Sequence, residues 1–238
     1  MMQAGKGCSF AVYCILLGRN NNIKEVFIMK TNAKKIFNIR QLVILGLMTA
    51  LVMIFSFTPI GSIPVGPLVI TLNVIPVAIA AASCGPVGGA IIGGVFGLFS
   101  FLQCIGIGIP SGMGAALFDI NPFLAFVQRF IPRVLVGIIA GYSFRITKKL
   151  SNNYVGGAVA GFMTAFSNTV LFMTSLVLLF GNTDYMEEKM GGKNVIWFII
   201  TFVGFNALVE MAVATIVTAA VAVGLTKAGF LKGKAKAA

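Results

Sequence analysis

Arg129 and Arg133 stand four residues apart in the apolar stretch FVQRFIPRVLVGI (126–138), with Pro132 between them. A guanidinium stays charged in proteins and carries five donors in a planar fork that matches a carboxylate or a phosphate. At this spacing the two side chains share one helix face. A second polar stripe repeats it, with Asn206 and Glu210 in GFNALVEMAV (204–213), and Asn168 lies in FSNTVLF (166–172). Gln128, Asn73 and Gln103 complete the set of polar groups inside apolar runs. Such groups are costly in a lipid environment and usually face an interior or a cavity, so together they suit binding of a small anion with further polar groups.

Other chemistries have little to work with. The chain has no His, which removes most zinc sites and every Ser-His-Asp arrangement. Its cysteines, Cys8, Cys14, Cys84 and Cys104, form no C-x-x-C pair, and the last two sit at the ends of apolar segments as small hydrophobes. No G-x-x-x-x-G-K-[ST] stretch is present, and GGKN (191–194) lacks the spacing and the hydroxyl residue for phosphate binding. Neither an enzyme nor a bound cofactor or metal is expected.

The elements that hold these residues follow from composition. Of 238 residues, 58% are hydrophobic and 10% charged, and mean hydropathy is +0.98, too apolar for a surface that faces water. An all-α integral membrane protein is expected, its six transmembrane helices near 41–58, 68–84, 86–104, 123–145, 155–180 and 195–225 forming a compact bundle in membrane lipid. The formal charge of +12 does not indicate nucleic acid, because the cations cluster between apolar runs. Lys30, Lys34, Lys35 and Arg40 precede the first run, Arg145, Lys148 and Lys149 follow the fourth, and Lys227, Lys232, Lys234 and Lys236 follow the last. All three places fall on one side of a six-span arrangement, which puts that side and both termini in the cytoplasm. Residues 1–28 read as a disordered extension or a start-site artefact, 29–230 as the membrane domain and 231–238 as a basic tail.

Small residues recur at four-residue intervals: Gly85, Gly89, Gly93 and Gly97; Gly137 and Gly141; Gly157, Gly161 and Ala165; Gly46 and Ala50. In lipid this spacing lets helix backbones approach closely, within one chain or between chains. TPIGSIPVGP (58–67), with three prolines, cannot be a continuous helix and reads as an uncharged loop able to cover a pocket. At 1.5 Å per residue, Arg133 and Asn206 lie level at about 15 Å depth, with Arg129 one turn above and Glu210 one turn below. Two readings of the arginines stay open. In one, Arg133 pairs with Glu210 while Arg129 snorkels to the interface. In the other, Arg129 takes a ligand carboxylate and Arg133 is shared between ligand and scaffold.

Five stretches in order resemble the substrate-binding S components of energy-coupling factor vitamin transporters, within them the pantothenate type. They are LGLMTALVMIFSFTPIGSIPVGPLVIT (45–71), IPVAIAAASCGPVGGAIIGGVFGLFSF (75–101), FIPRVLVGIIAGY (130–142), SNTVLFMTSLVLLFG (167–181) and GFNALVEMAVATIV (204–217). The resemblance runs from Arg40 to Leu225. It implies a six-helix component that binds a small vitamin in an outward pocket and docks on a transmembrane coupling protein driven by two cytoplasmic ATPases, toppling in the membrane to release it. In that frame Arg129, Arg133, Asn168, Asn206, Glu210, Asn73 and Gln128 are the substrate-binding candidates, and Gly46 and Ala50 occupy the docking motif. Gly46 replaces the family's usual Ala, and Val74 stands where the pantothenate type often carries His. Folate or riboflavin as the vitamin, or a small proton-coupled carrier using Glu210, are the alternative readings.

Overall fold

The computed structural model describes the backbone of residues 37–65, 68–109, 111–184 and 195–231, and the side chains of 37–59, 61, 71–109, 111–184, 204 and 207–231. The expected 1–28 extension, the 185–194 loop and most of the basic tail, 232–238, lie outside the described residues. In chain order the elements are α1 (Ile39–Phe57), β1 (Ser62–Val65), β2 (Leu68–Thr71), α2 (Val74–Leu102), α3 (Gly112–Ile120), α4 (Pro122–Leu150), α5 (Asn153–Phe180) and α6 (Val195–Lys227). Five of the helices, α1, α2, α4, α5 and α6, are long and apolar enough to cross a membrane.

The start of the second span needs correction. The proline-rich stretch forms no continuous helix, as expected, and β1 and β2 pair antiparallel from Ser62 with Thr71 to Val65 with Leu68. Residues 68–71, assigned to the second span from their hydropathy, therefore form a strand, and the helix begins at Val74. A two-stranded hairpin has only edge strands, where Pro64 is tolerated. The 105–122 loop likewise holds α3, capped by Ser111, whose Oγ accepts from Gly114 N at 3.2 Å.

The 29-residue α2 is broken at Gly85, whose φ of 75° and ψ of −167° are closed to most side chains, and Pro86 restarts the helix. Its arms, 74–84 and 86–102, run back alongside each other. Asn73 Nδ2 donates to Ser56 Oγ at 3.3 Å and Gln103 Nε2 to Ser56 O at 2.8 Å, so both ends of the segment meet one residue of α1. Its middle reaches the other end of α1, where Cys84 Sγ donates to Gln41 O at 3.6 Å. The bundle thus has a hairpin end, with β1, β2 and α3, and a turn end at Gly85. Arg40, Arg145, Lys148, Lys149 and Lys227 all come to the turn end. Arg145 lies against Gly85, Arg40 adjoins Gln41, and Asn153 Nδ2 donates to Thr226 Oγ1 at 3.0 Å beside Lys227.

Between α2 and α4 the backbones nearly touch. A Cβ on Gly89 would collide with the Gly137 carbonyl and one on Gly137 with the Gly89 carbonyl. One on Gly93 would strike the Arg133 carbonyl, and one on Gly97 would lie 3.0 Å from Phe130 Cα. Gly157 and Gly161 face Ala214, Thr218 and Ala222 of α6 in the same way. These glycine stripes are internal packing surfaces. Gly46 differs, since a Cβ there would meet nothing within 4 Å, and both Gly46 and Ala50 are exposed. The Gly137→Leu substitution is therefore expected to destabilise the fold by at least about 1–3 kcal/mol, on the order of 2–4 °C of unfolding temperature per kcal/mol. Gly46→Leu is expected to stay within about 0.5 kcal/mol of the parent. Thermal unfolding in one detergent checks both.

Candidate functional site

Local sequence sets the start of α4. Asn121 Oδ1 accepts from Phe123 N at 3.1 Å and Leu124 N at 3.2 Å, and Pro122 fills the first helical position. Pro132, inside the helix, donates nothing to the Gln128 carbonyl, yet α4 continues through it to Leu150. The arginines flank this weakened turn on the face packed against α2.

Arg129 is 7% exposed and so does not snorkel to an interface. Its Nη1 donates to Ser100 Oγ at 3.4 Å and its Nη2 to Ser111 Oγ at 3.5 Å, both long contacts. Ser111 is the residue that caps α3, so one hydroxyl joins that helix to the buried cation. Gly114 makes room here, since a Cβ would lie 2.7 Å from Cys104 Sγ and 3.0 Å from Arg129 Nη2. Arg133 is also buried, and its guanidinium carbon sits 5.3 Å from the Phe96 ring centroid and 4.5 Å from that of Phe172. The Arg129 carbon is 5.3 Å from the same Phe172 ring.

Several polar atoms in this region are left over. Arg129 Nε, Arg133 Nε and Nη1, both polar side-chain atoms of Gln128 and Asn168 Oδ1 are buried without a hydrogen-bond partner among the described residues. Glu210 does not form the pair with Arg133 that one reading required. Among the described residues its carboxylate accepts from Thr71 Oγ1 at 3.5 Å and Asn168 Nδ2 at 3.4 Å, and from neither arginine. Two buried cations, one buried anion and an unmet set of donors and acceptors suit an anionic ligand that also carries polar groups.

The structure brings Arg129 and Arg133 of α4 together with Phe172 of α5 and with Ser100 and Phe96 of α2, and Asn168 together with Glu210, while Gln128 is fully buried. Asn73, like Gln103, is tied to Ser56 and holds the hairpin end of α1, although its Oδ1 has no partner. The backbone of Asn206 belongs to α6, but its side chain lies outside the described ones. Sequence reasoning missed Phe172, Phe96, Ser100, Ser111 and Thr71. Phe172 carries a local signal, four residues beyond Asn168 on the same helix face. Thr71 carries none, because its meeting with Glu210 spans 139 positions.

Comparison with known proteins gives a consistent result. The family described as ECF transporter, substrate-specific component, matches residues 40–222. The chain is 33% identical over 172 residues to the pantothenic acid transporter PanT of Lactococcus lactis subsp. cremoris, covering 69% of this chain and 80% of that one. It is 31% identical over 190 residues to the pantothenate transporter PanT of Leuconostoc mesenteroides subsp. mesenteroides, covering 76% and 90%. The crystal structure of an S-component for biotin from an ECF-type ABC transporter is similar in fold, with a TM-score of 0.51 at 20% identity over 85% of this chain and 96% of that one.

Buried donors without partners raise the free energy of the folded state, and exchanging them for apolar atoms of similar shape removes that cost. Arg133→Met is accordingly expected to leave the unfolding temperature of the ligand-free protein unchanged or to raise it, by on the order of 2–4 °C for each kcal/mol relieved. A calorimetric scan showing a clear fall would mean that the aromatic contacts of Arg133 outweigh its unmet donors.

Proposed function

Because the chain belongs to the substrate-specific components of ECF transporters, we propose that it is the binding subunit for uptake of pantothenate, working with separate energising partners. It is a multi-pass cell-membrane transport protein and not an enzyme. The observation that carries the ligand assignment is the pair of buried guanidiniums around Phe172 with unmet donors. Pantothenate offers them one carboxylate, and its amide, two hydroxyls and dimethyl group suit Gln128, Asn168, Glu210 and the aromatic wall. Relatives named as pantothenate transporters support the same choice.

In this reading α1, the two arms of α2, α4, α5 and α6 make six crossings. The basic turn end, with Arg40, Arg145, Lys148, Lys149 and Lys227, faces the cytoplasm. The hairpin end then faces outward, and β1–β2 covers the site. Arg129 takes the carboxylate, Arg133 is shared between ligand and scaffold, and Asn206 and Asn73 are further contacts. A transmembrane coupling protein driven by two ATPases supplies the energy, since this sequence has no nucleotide-binding loop. Gly46 and Ala50, on the exposed face of α1, form the docking stripe.

Three experiments test this. Charge-assisted hydrogen bonds contribute on the order of 1.5–3 kcal/mol each, so Arg129→Ala is expected to weaken pantothenate binding roughly tenfold to several hundredfold. Lys is expected to rescue only in part, and the alcohol analogue pantothenol should be barely affected. Equal losses for acid and alcohol in calorimetric titration would remove the carboxylate contact. In liposomes the purified chain alone is expected to bind pantothenate without accumulating it. In cells that supply the partners, Gly46→Leu with Ala50→Leu should abolish uptake while affinity stays within about threefold, since bulk there blocks only close helix approach. Concentrative uptake by the chain alone, or a collapse of affinity in the double variant, contradicts the division of labour.

A further inference from the structure

The two guanidiniums raise a problem that the carboxylate reading leaves open. They are like charges one helical turn apart, both buried, and among the described residues neither donates a hydrogen bond to the Glu210 carboxylate. Like charges at this spacing repel, more strongly out of water, and flexible side chains in that position would splay apart. A carboxylate needs them converging. The element that both meet is the Phe172 ring, at 5.3 Å from Arg129 and 4.5 Å from Arg133, inside the range where the negative face of an aromatic ring attracts a cation. Phe172 is half-buried, whereas its neighbours Met173 and Leu176 are buried in the core with Leu117 and Ala125. It stands on the same α5 face as Asn168, which donates to Glu210. The ring therefore meets both cations one helical turn from the residue that donates to the acidic group.

We infer that Phe172 is a positioning residue for anion specificity, its ring face holding Arg129 and Arg133 converged so that one carboxylate can meet both. This deepens the pantothenate reading and rests on it. Phe96 assists at Arg133 alone, 5.3 Å away, so it cannot set the spacing of the pair. A side chain of similar bulk without a ring would fill the same volume but leave the guanidiniums free to separate. The loss would then fall on the charged end of the ligand and spare the rest.

The test is titration of pantothenate and pantothenol against the full-length protein and its Phe172→Leu, Phe172→Met and Phe172→Tyr variants, with thermal unfolding as the check on folding. The parent is expected to prefer the acid by roughly tenfold or more, as for one charge-assisted contact. Loss of the two ring contacts in Leu and Met should weaken pantothenate roughly tenfold to a hundredfold, leave pantothenol within about threefold, and so erase most of the preference. Tyr keeps the ring and should restore it. If Leu and Met weaken acid and alcohol by the same factor, or if Tyr behaves like Leu, Phe172 is an apolar filler and the inference is overturned while the arginine assignment stands. If the parent itself shows no preference for the acid, the carboxylate reading fails first and takes this inference with it. Using two ringless variants keeps the comparison decisive if one of them does not fold.

Discussion

The close backbone contact between the second arm of α2 and α4 is the constraint on which the site depends. Gly89 and Gly137 face each other's carbonyls, Gly93 faces the Arg133 carbonyl, and Gly97 faces Phe130. Without water exclusion to drive helices together in lipid, such contact relies on dense van der Waals packing, which small residues permit. The stretch of α4 that carries the arginines is fixed by the same contact. Arg129 is therefore held, buried, beside Ser100, Ser111 and the Phe172 ring.

That placement is costly in the absence of a partner. Among the described residues, buried donors on both arginines, both amide atoms of Gln128 and the side-chain oxygen of Asn168 are unsatisfied together, and a low dielectric raises the cost of each. Glycine packing on one side and the α5–α6 seam on the other hold the arrangement against this cost. An anion that also carries hydroxyl and amide groups has the chemistry to meet these atoms. The β-hairpin is tied to the acidic end of this region through Thr71 and Glu210.

The glycine stripes divide into two kinds that look alike as strings of letters. Those of α2, α4 and α5 are occupied from within the chain. The stripe on α1 is not, and it continues into an apolar face with Leu42, Val43, Leu47, Met53 and Ile54 exposed, while Ile44, Leu45, Met48 and Val52 are buried on the opposite side. For a membrane protein an exposed apolar face is ordinary. The absence of bulk at Gly46 and Ala50 within it is what suits close approach by another helix.

By itself the sequence determined the membrane character, the approximate helix boundaries, the break at Gly85 and the buried charges Arg129, Arg133 and Glu210. Each of these is written locally, in hydropathy over about 20 residues, in a Gly-Pro pair or in a charge that lipid does not tolerate. The arginine pair was legible as a stripe for the same reason. Tertiary structure alone decided which groups meet. Depths only one helical turn apart left Arg133 free to pair with Glu210, but the fold gives that carboxylate to Thr71 and Asn168 and turns the arginines toward Phe172. It also made a strand of residues 68–71, whose hydropathy alone had suggested a span, because antiparallel pairing with β1 satisfies their backbone where a helix start would follow only at Val74. Depth along an axis follows from counting residues. Rotation about the axis, and so the choice of partner, follows from packing contacts between segments far apart in the chain, such as Gly93 against the Arg133 carbonyl.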